Sequence, residues 1–183
     1  MKSSIENLQY IKGIDEKHKI SLTALSLKDI DWFVEESITE YFNEYLDFKF
    51  SDLCTDKKSR EKVINILREK LEACATRKNK AEKRFIVRYN NIRVGNVALF
   101  EKDKNKIELA YYIKEEAKGL GIATEAVKIL LDALRQEEYT GELILVIQMY
   151  NKGSIRVAEK SGFKLSGCEK GAYTTNLIYS ITM

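Results

Sequence analysis

Proline is absent from the 183 residues, histidine and tryptophan occur once each, and cysteine occurs three times. Each shortage excludes something. Without proline, turns and helix ends have to be built from Gly, Asn, Asp and Ser. His18 lies between Lys17 and Lys19 ahead of a strand, so it reads as a surface residue, and a histidine-centred triad has no base. Cys54, Cys74 and Cys168 are odd in number, widely spaced and free of any Cys-x-x-Cys pair. That argues against a zinc site or a disulfide framework, and fits a reducing compartment. No run of about 18 apolar residues is present, so no membrane span is expected. Met1–Asn7 is polar with no apolar run behind it, so no signal peptide is expected, and the cytoplasm is the expected location. A net charge of +3 is too small to argue for nucleic acid. The local cluster Arg77, Lys78, Lys80, Lys83 and Arg84 reads as a solvated linker entering a strand.

What is present suits one soluble domain: 44% of residues are hydrophobic and 32% charged. A short strand or arm is expected near Leu8–Ile11, and a first strand at Ile20, Leu22, Ala24 and Leu25. Ser26 followed by Asp29 has the form of a capping box. Ile30, Phe33, Val34, Ile38, Tyr41, Phe42 and Tyr45 then recur at helical spacing, with acids on the other face. The aromatic residues of this stretch (Trp32, Phe33, Tyr41, Phe42, Tyr45, Phe48, Phe50) would either line a pocket or fill the core. A polar break over 51–59 precedes a second amphipathic helix through Val63, Ile64, Leu67 and Leu71. From Arg84 the period becomes two. Phe85–Tyr89 and Ile92–Phe100 flank Asn90-Asn91, a hairpin signal, and a third strand follows over Ile107–Ile113. A helix (Ile122 to about Gln136), a strand (Leu143–Met149), a short helix ending at Gly162-Phe163 and two last strands complete the chain.

The stretch Lys118-Gly119-Leu120-Gly121 opens the helix at Ile122. Glycines before a helix let backbone N–H groups approach an anion, and the helix dipole favours it. The dinucleotide fingerprint fits poorly: its third small residue is Thr124 here, the acid Glu142 lies at the wrong end of the next strand, and the preceding strands form a meander. No Lys-Ser/Thr follows the loop, so a nucleotide-triphosphate P-loop is excluded as well.

Glu116-Ala117-Lys118-Gly119-Leu120-Gly121-Ile122-Ala123-Thr124 resembles motif A of the GNAT superfamily of N-acetyltransferases, whose core is Gln/Arg-x-x-Gly-x-Gly/Ala. Asn151-Lys152-Gly153-Ser154-Ile155-Arg156-Val157-Ala158-Glu159-Lys160-Ser161-Gly162-Phe163 resembles the second signature. The Ser of that signature and the strand Ile107–Ile113 are similar to the branch of ribosomal-protein N-terminal acetyltransferases. The resemblance implies a single α/β GNAT domain over 1–183: a mixed, mostly antiparallel sheet, helices on both faces, and a splayed central parallel strand pair. Residues 19–82 would form the first strand and the acceptor-side helices, and 83–183 the acetyl-CoA-binding core. It further implies acetyl-CoA as cosubstrate, no metal, and pantetheine in the splay beside Tyr112 and Ile113. Loop amides from Lys118 through Gly119, Leu120, Gly121, Ile122 and Ala123 to Thr124 would hold the pyrophosphate, and Asn151 would hold pantetheine or cap a helix.

Acetyl transfer to an amine requires a positioned nitrogen, a donor for the oxyanion and a proton for the leaving thiolate. Glu108 shares the less apolar strand face with Ala110 and Tyr112, and is a candidate base acting through water, or a solvated strand carboxylate. The resemblance implies a backbone oxyanion donor near Ile113. Relatives often carry a tyrosine where this chain has Ala158, which leaves Ser154 to contact the thiol sulfur, unless it only caps the helix. Glu116 replaces the usual Gln or Arg and is expected to contribute only its backbone. The acceptor is expected to be a primary amine, either a protein N-terminus or a small molecule, reached without an acetyl-enzyme. The acidic first helix would suit a cation. A non-catalytic acyl-CoA-binding module stays open on the strength of Ala158 and Glu116. No nucleic-acid or membrane partner is expected, and the superfamily allows monomer or homodimer.

Overall fold

The computed structural model describes residues 13–15, 19–46, 50–103 and 105–183. The arm expected at Leu8–Ile11, together with His18 and Phe48, lies outside them. Eight strands form one sheet in the order β1-β2-β3-β4-β5-β6-β8-β7. They are β1 (Gly13–Asp15), β2 (Ile20–Ala24), β3 (Glu82–Tyr89), β4 (Ile92–Asp103), β5 (Lys106–Ile113), β6 (Glu142–Gln148), β7 (Lys164–Lys170) and β8 (Thr175–Thr182). All neighbours are antiparallel except β5 and β6. Asn90 and Asn91 take φ of 50° and 66°, the left-handed pair that a two-residue hairpin turn requires.

Alternation along the strands gives the sheet two apolar faces. On one face Phe85, Val97, Leu99, Ile107, Leu109, Leu143 and Leu145 pack under α5 (Ile122–Gln136), whose Ile122, Ala126, Val127, Leu130 and Leu134 are buried. α6 (Lys152–Lys160) joins this core through Ala158. On the other face Ile86 meets α1 (Ile30–Ser37) and α4 (Lys57–Ala75) through Ile30, Phe33, Val34, Leu71 and Cys74.

The long amphipathic helix expected from Ile30 to Tyr45 is broken into α1 and the single turn α2 (Glu40–Asn43). The cause is local polar chemistry. The Ser37 hydroxyl donates to the Phe33 carbonyl, Thr39 Oγ1 accepts from Phe42 N at 3.2 Å, and Asn43 Nδ2 donates back to the Ser37 and Thr39 carbonyls. These bonds compete with continuation of the helix. The break expected over 51–59 holds another short turn, α3 (Phe50–Leu53), and ends at Asp56, which caps α4 by accepting from Ser59 N at 2.7 Å. The basic linker is also partly corrected. Lys83 is buried, and Arg84 is ion-paired to Glu82 and lies between the Phe33 and Phe100 rings, so neither is a solvated side chain.

Ser26 and Asp29 behave as the capping pair foreseen, although the turn they open (Leu27–Asp29) is a 3-10 turn running into α1. Both the Ser26 N–H and its hydroxyl donate to Asp29 Oδ2, at 3.1 and 2.6 Å. Asp29 is 2% exposed and also takes Arg88 at 3.1 Å and Arg93 at 2.9 Å, clamping the first helix to β3 and β4. Burial pushes its pKa up, but the Ser26 and Arg93 hydrogen bonds and the Arg88 charge outweigh that and leave it below the usual aspartate value. A depressed folded-state pKa means stability that is full above the unfolded value and is lost as pH falls through the folded one. Asp29→Ala should therefore cost about 2 kcal/mol at pH 7, less than a sealed ion pair because both arginines reach water. In urea unfolding the difference from wild type should shrink progressively below about pH 4.

Candidate functional site

β5 and β6 pair over only three rungs, Lys106↔Glu142, Ile107↔Leu143 and Glu108↔Ile144. Beyond them Leu109–Ile113 stays with β4, up to Gly95↔Ile113, while Leu145–Gln148 stays with β8. The sheet therefore opens into a wedge whose vertex is at Glu108 and Ile144. Its length, the five residue steps from Glu108 to Ile113, is roughly 17 Å at the usual rise. Backbone groups along both walls lack a ladder partner across the opening, and an extended polar chain can supply one.

At the mouth of the wedge stands the glycine loop. It follows the 3-10 turn Glu115–Ala117 and enters α5. Lys118, Gly119, Leu120 and Gly121 are exposed, whereas Ile122 and Thr124 are buried and Ala123 lies between. Gly119 and Gly121 have φ of 81° and 79°, and a Cβ at either would meet nothing within 4 Å. Gly121 caps α5 with no side-chain hydrogen bond, so the first-turn amides face outward without a capping side chain. That arrangement suits an anion, which would be cradled by backbone N–H groups. Glu116 is exposed, which leaves the cradle to backbone groups.

The opposite wall is the start of α6. Asn151 Oδ1 accepts from Ser154 N at 3.0 Å, so Asn151 is the cap and Ser154 the capped residue. Ser154 is half-buried. Tyr111 Oη reaches across the wedge and donates to the Ser154 carbonyl at 3.1 Å.

Glu108 sits at the vertex on the face occupied by α1 and α4, its side chain 25% exposed and 2.9 Å from Lys102 Nζ. Tyr112 points to that face too, away from the glycine loop's helix. Its ring centroid lies 4.6 Å from Phe42 and 6.0 Å from Tyr41. Its hydroxyl donates to Glu36 Oε2 at 3.0 Å, and Lys114 Nζ lies 2.9 Å from Glu36 Oε1. Burial and the Glu36 carboxylate together hold the Tyr112 phenol well above its ordinary pKa, so it remains a donor. Burial, Glu115, Glu44 and Glu116 raise Tyr41, and Lys118 Nζ lies 5.5 Å above its ring. Of the early aromatic residues, Phe33 is core, Tyr41 and Phe42 face Tyr112, and Tyr45 is exposed.

Glu36 and Tyr111 are the site residues that the pattern of the sequence did not single out. Glu36 is one of several acids on α1. A signal for Tyr111 was present: it is the phenol on a strand face otherwise made of Ile107, Leu109 and Ile113, and a buried phenol needs a partner. Among the described residues no group of His, Cys, Asp and Glu is placed to hold a metal ion, and no helix is long and apolar enough to cross a membrane.

The sequence profile described as acetyltransferase (GNAT) domain matches residues 19–164. The chain belongs to this family. The fold, a single α/β domain with the splayed pair, and the use of acetyl-CoA as cosubstrate follow from membership. Over 77 residues the chain is 32% identical to the probable N-acetyltransferase YjcK of Bacillus subtilis (strain 168), covering 40% of this chain and 42% of that protein. The chain thus matches less than half the length of this curated relative. RimL, a ribosomal L7/L12 alpha-N-protein acetyltransferase solved with coenzyme A, superposes with a TM-score of 0.73 at 15% identity, over 90% of this chain and 94% of its own. The aminoglycoside acetyltransferase AAC(6')-Ib with coenzyme A gives 0.69 at 15%, over 89% and 94%. At such identities the likeness is one of fold, and this GNAT fold serves protein and small-molecule amines alike.

Proposed function

We propose that the protein is an N-acetyltransferase that joins acetyl-CoA and a primary amine in one ternary complex, with a protein N-terminus as the acceptor. The observation that carries the reading is the wedge between β5 and β6, with an uncapped anion cradle at its mouth and a carboxylate at its vertex. When bound, acetyl-CoA supplies the thioester whose acetyl group passes to the amine. The amides of residues 118–124 hold the pyrophosphate, and the unladdered backbone of Leu109–Ile113 holds the pantetheine arm, with Tyr112 and Ile113 lending main-chain groups and Asn151 fixing the far wall. Glu108 takes the proton of the incoming ammonium through water, and a backbone N–H near Ile113 receives the oxyanion; as the C–N bond forms and the C–S bond breaks, the proton the nitrogen sheds passes to the leaving thiolate, which the Ser154 hydroxyl faces. The acceptor enters from the face that carries Tyr41, Phe42, Tyr112 and Glu36, opposite α5.

The branch-like strand and the Asn-x-x-Ser signature support a protein N-terminus. A small polycationic amine is the second reading, supported by Glu36, Glu44, Glu115 and Glu116 around Tyr41. A thermal shift with acetyl-CoA, using NAD as control, tests the first step. A ligand at 100 times its Kd adds about 2.7 kcal/mol, so a clear rise in Tm is expected with acetyl-CoA alone. CoA release is then followed over a panel of peptides with free N-termini and of polyamines. Turnover of peptides supports the first acceptor and turnover of polyamines the second, whereas binding without release over the whole panel indicates a non-catalytic module.

A further inference from the structure

Tyr111 takes part in none of the steps above, yet it is placed across the wedge. Its ring lies on the α5 face of β5, and its hydroxyl donates to the Ser154 carbonyl, 43 residues further along the chain. Ser154 is thus held at both of its main-chain polar groups, the N–H by Asn151 at 3.0 Å and the C=O by Tyr111 at 3.1 Å. Beyond the Glu108↔Ile144 rung no ladder sets the distance between the two walls. α6 carries no phenol of its own between Lys152 and Lys160, and Ala158 is fully buried. Burial pushes the Tyr111 phenol up to about 12, with the Ser154 bond opposing, so the phenol stays protonated and a donor through the neutral range.

We infer that Tyr111 is a positioning residue, a strut that fixes the first turn of α6 so that the Ser154 hydroxyl faces the sulfur of the acyl donor. The inference rests on the acetyl-CoA reading of the wedge. A hydrogen bond sets both distance and direction, which packing against a half-open wall does not. Groups that act on a reacting atom lose their effect when displaced by even an ångström. Tyr111 does not itself act as the acid, because its proton is committed to the Ser154 carbonyl.

The test is calorimetric binding of CoA and of desulfo-CoA to the wild type, Tyr111→Phe and Ser154→Ala. The wild type should bind CoA several-fold more tightly, and both variants should lose that preference while keeping desulfo-CoA affinity to within about twofold. That last value also shows that the variants are folded. A Tyr111→Phe protein that keeps the wild-type preference overturns the inference and leaves the acetyl-CoA reading intact. Equal binding of the two compounds by the wild type does the same. A wild type that binds neither removes both. In turnover with an accepted amine, Tyr111→Phe should lower kcat roughly 10-fold with KM for acetyl-CoA changed less than about twofold. The double variant should be no slower than Ser154→Ala alone, and independent, multiplying losses would overturn the inference.

Discussion

Replacing Gly95 with alanine is expected to be the most damaging single-methyl change in the chain. A Cβ there would lie 2.1 Å from the Tyr112 carbonyl oxygen, 2.8 Å from Ile113 Cδ1 and 3.1 Å from Ile113 Cα. Two of these three are backbone atoms, so no side-chain rotation relieves the clash. β4 and β5 must separate at the rung Gly95↔Ile113, which ends the β4–β5 ladder holding that wall of the wedge. Overpacking of this kind costs typically 1–3 kcal/mol, and with a main-chain oxygen this close about 3 kcal/mol is expected. Urea unfolding should show that loss, and acetyl-CoA should no longer raise the Tm of whatever folded protein remains. Gly153→Ala is the matched control. Its Cβ meets only Asn151 Oδ1, at 3.6 Å, and alanine in a helix is favoured over glycine by about 1 kcal/mol, so this variant should be as stable as wild type or more so.

Glu108→Gln is expected to have the largest effect on rate. The side chain keeps its size at the vertex of the wedge and loses the charge that, in the proposed mechanism, takes the ammonium proton. The loss of a general base typically lowers kcat by 10²–10⁴, and for the proposed relay through water a fall of about 10²–10³ is expected. Acetyl-CoA binding should be unchanged, since the carboxylate lies on the α1/α4 face and not toward the loop. The structural cost should be small, because the ion pair of Glu108 is with Lys102, which is half-exposed. A variant that keeps kcat within about threefold would move the base elsewhere. Glu36, with its side chain 14% exposed and on the same face, would then be next to test.

Much of this was legible before any coordinates, for reasons that differ from element to element. The β-rich stretches and the Asn90-Asn91 turn place β3, β4 and β5: side chains alternate between two faces, and because helices cover both faces the central strands are apolar over most of their length. The helix from Ile122 to about Gln136 was readable, since its glycine cap and its apolar stripe agree. The division of α1 from α2 was not readable from hydrophobic spacing. Ile38 and Tyr41 keep the helical period, while Ser37, Thr39 and Asn43 redirect the backbone through short-range hydrogen bonds that periodicity does not register. At the site, the cradle was visible because it is local in sequence. The bonds from Tyr112 to Glu36 and from Tyr111 to Ser154 join residues 76 and 43 positions apart, and only the folded sheet brings those partners together. Ser154 combines both cases: its place opening α6 was readable, and its being fixed from the other wall was not.

The strand order also has a consequence for how the protein is made. β7 is hydrogen-bonded to β8 alone, and β8 lies between it and β6. Strands β2 to β5 each pair with the one before, so they can assemble in sequence as a chain leaves the ribosome. β7 has no partner at the moment it emerges, and the outer edge of β6 stays bare until residues 175–182 have been synthesised. A nascent chain therefore completes the face covered by α1 and α4 first and the β6 wall of the wedge last. A premature stop between β7 and β8 should leave β6 with a bare edge and β7 with no partner, a handle for chaperones or for aggregation.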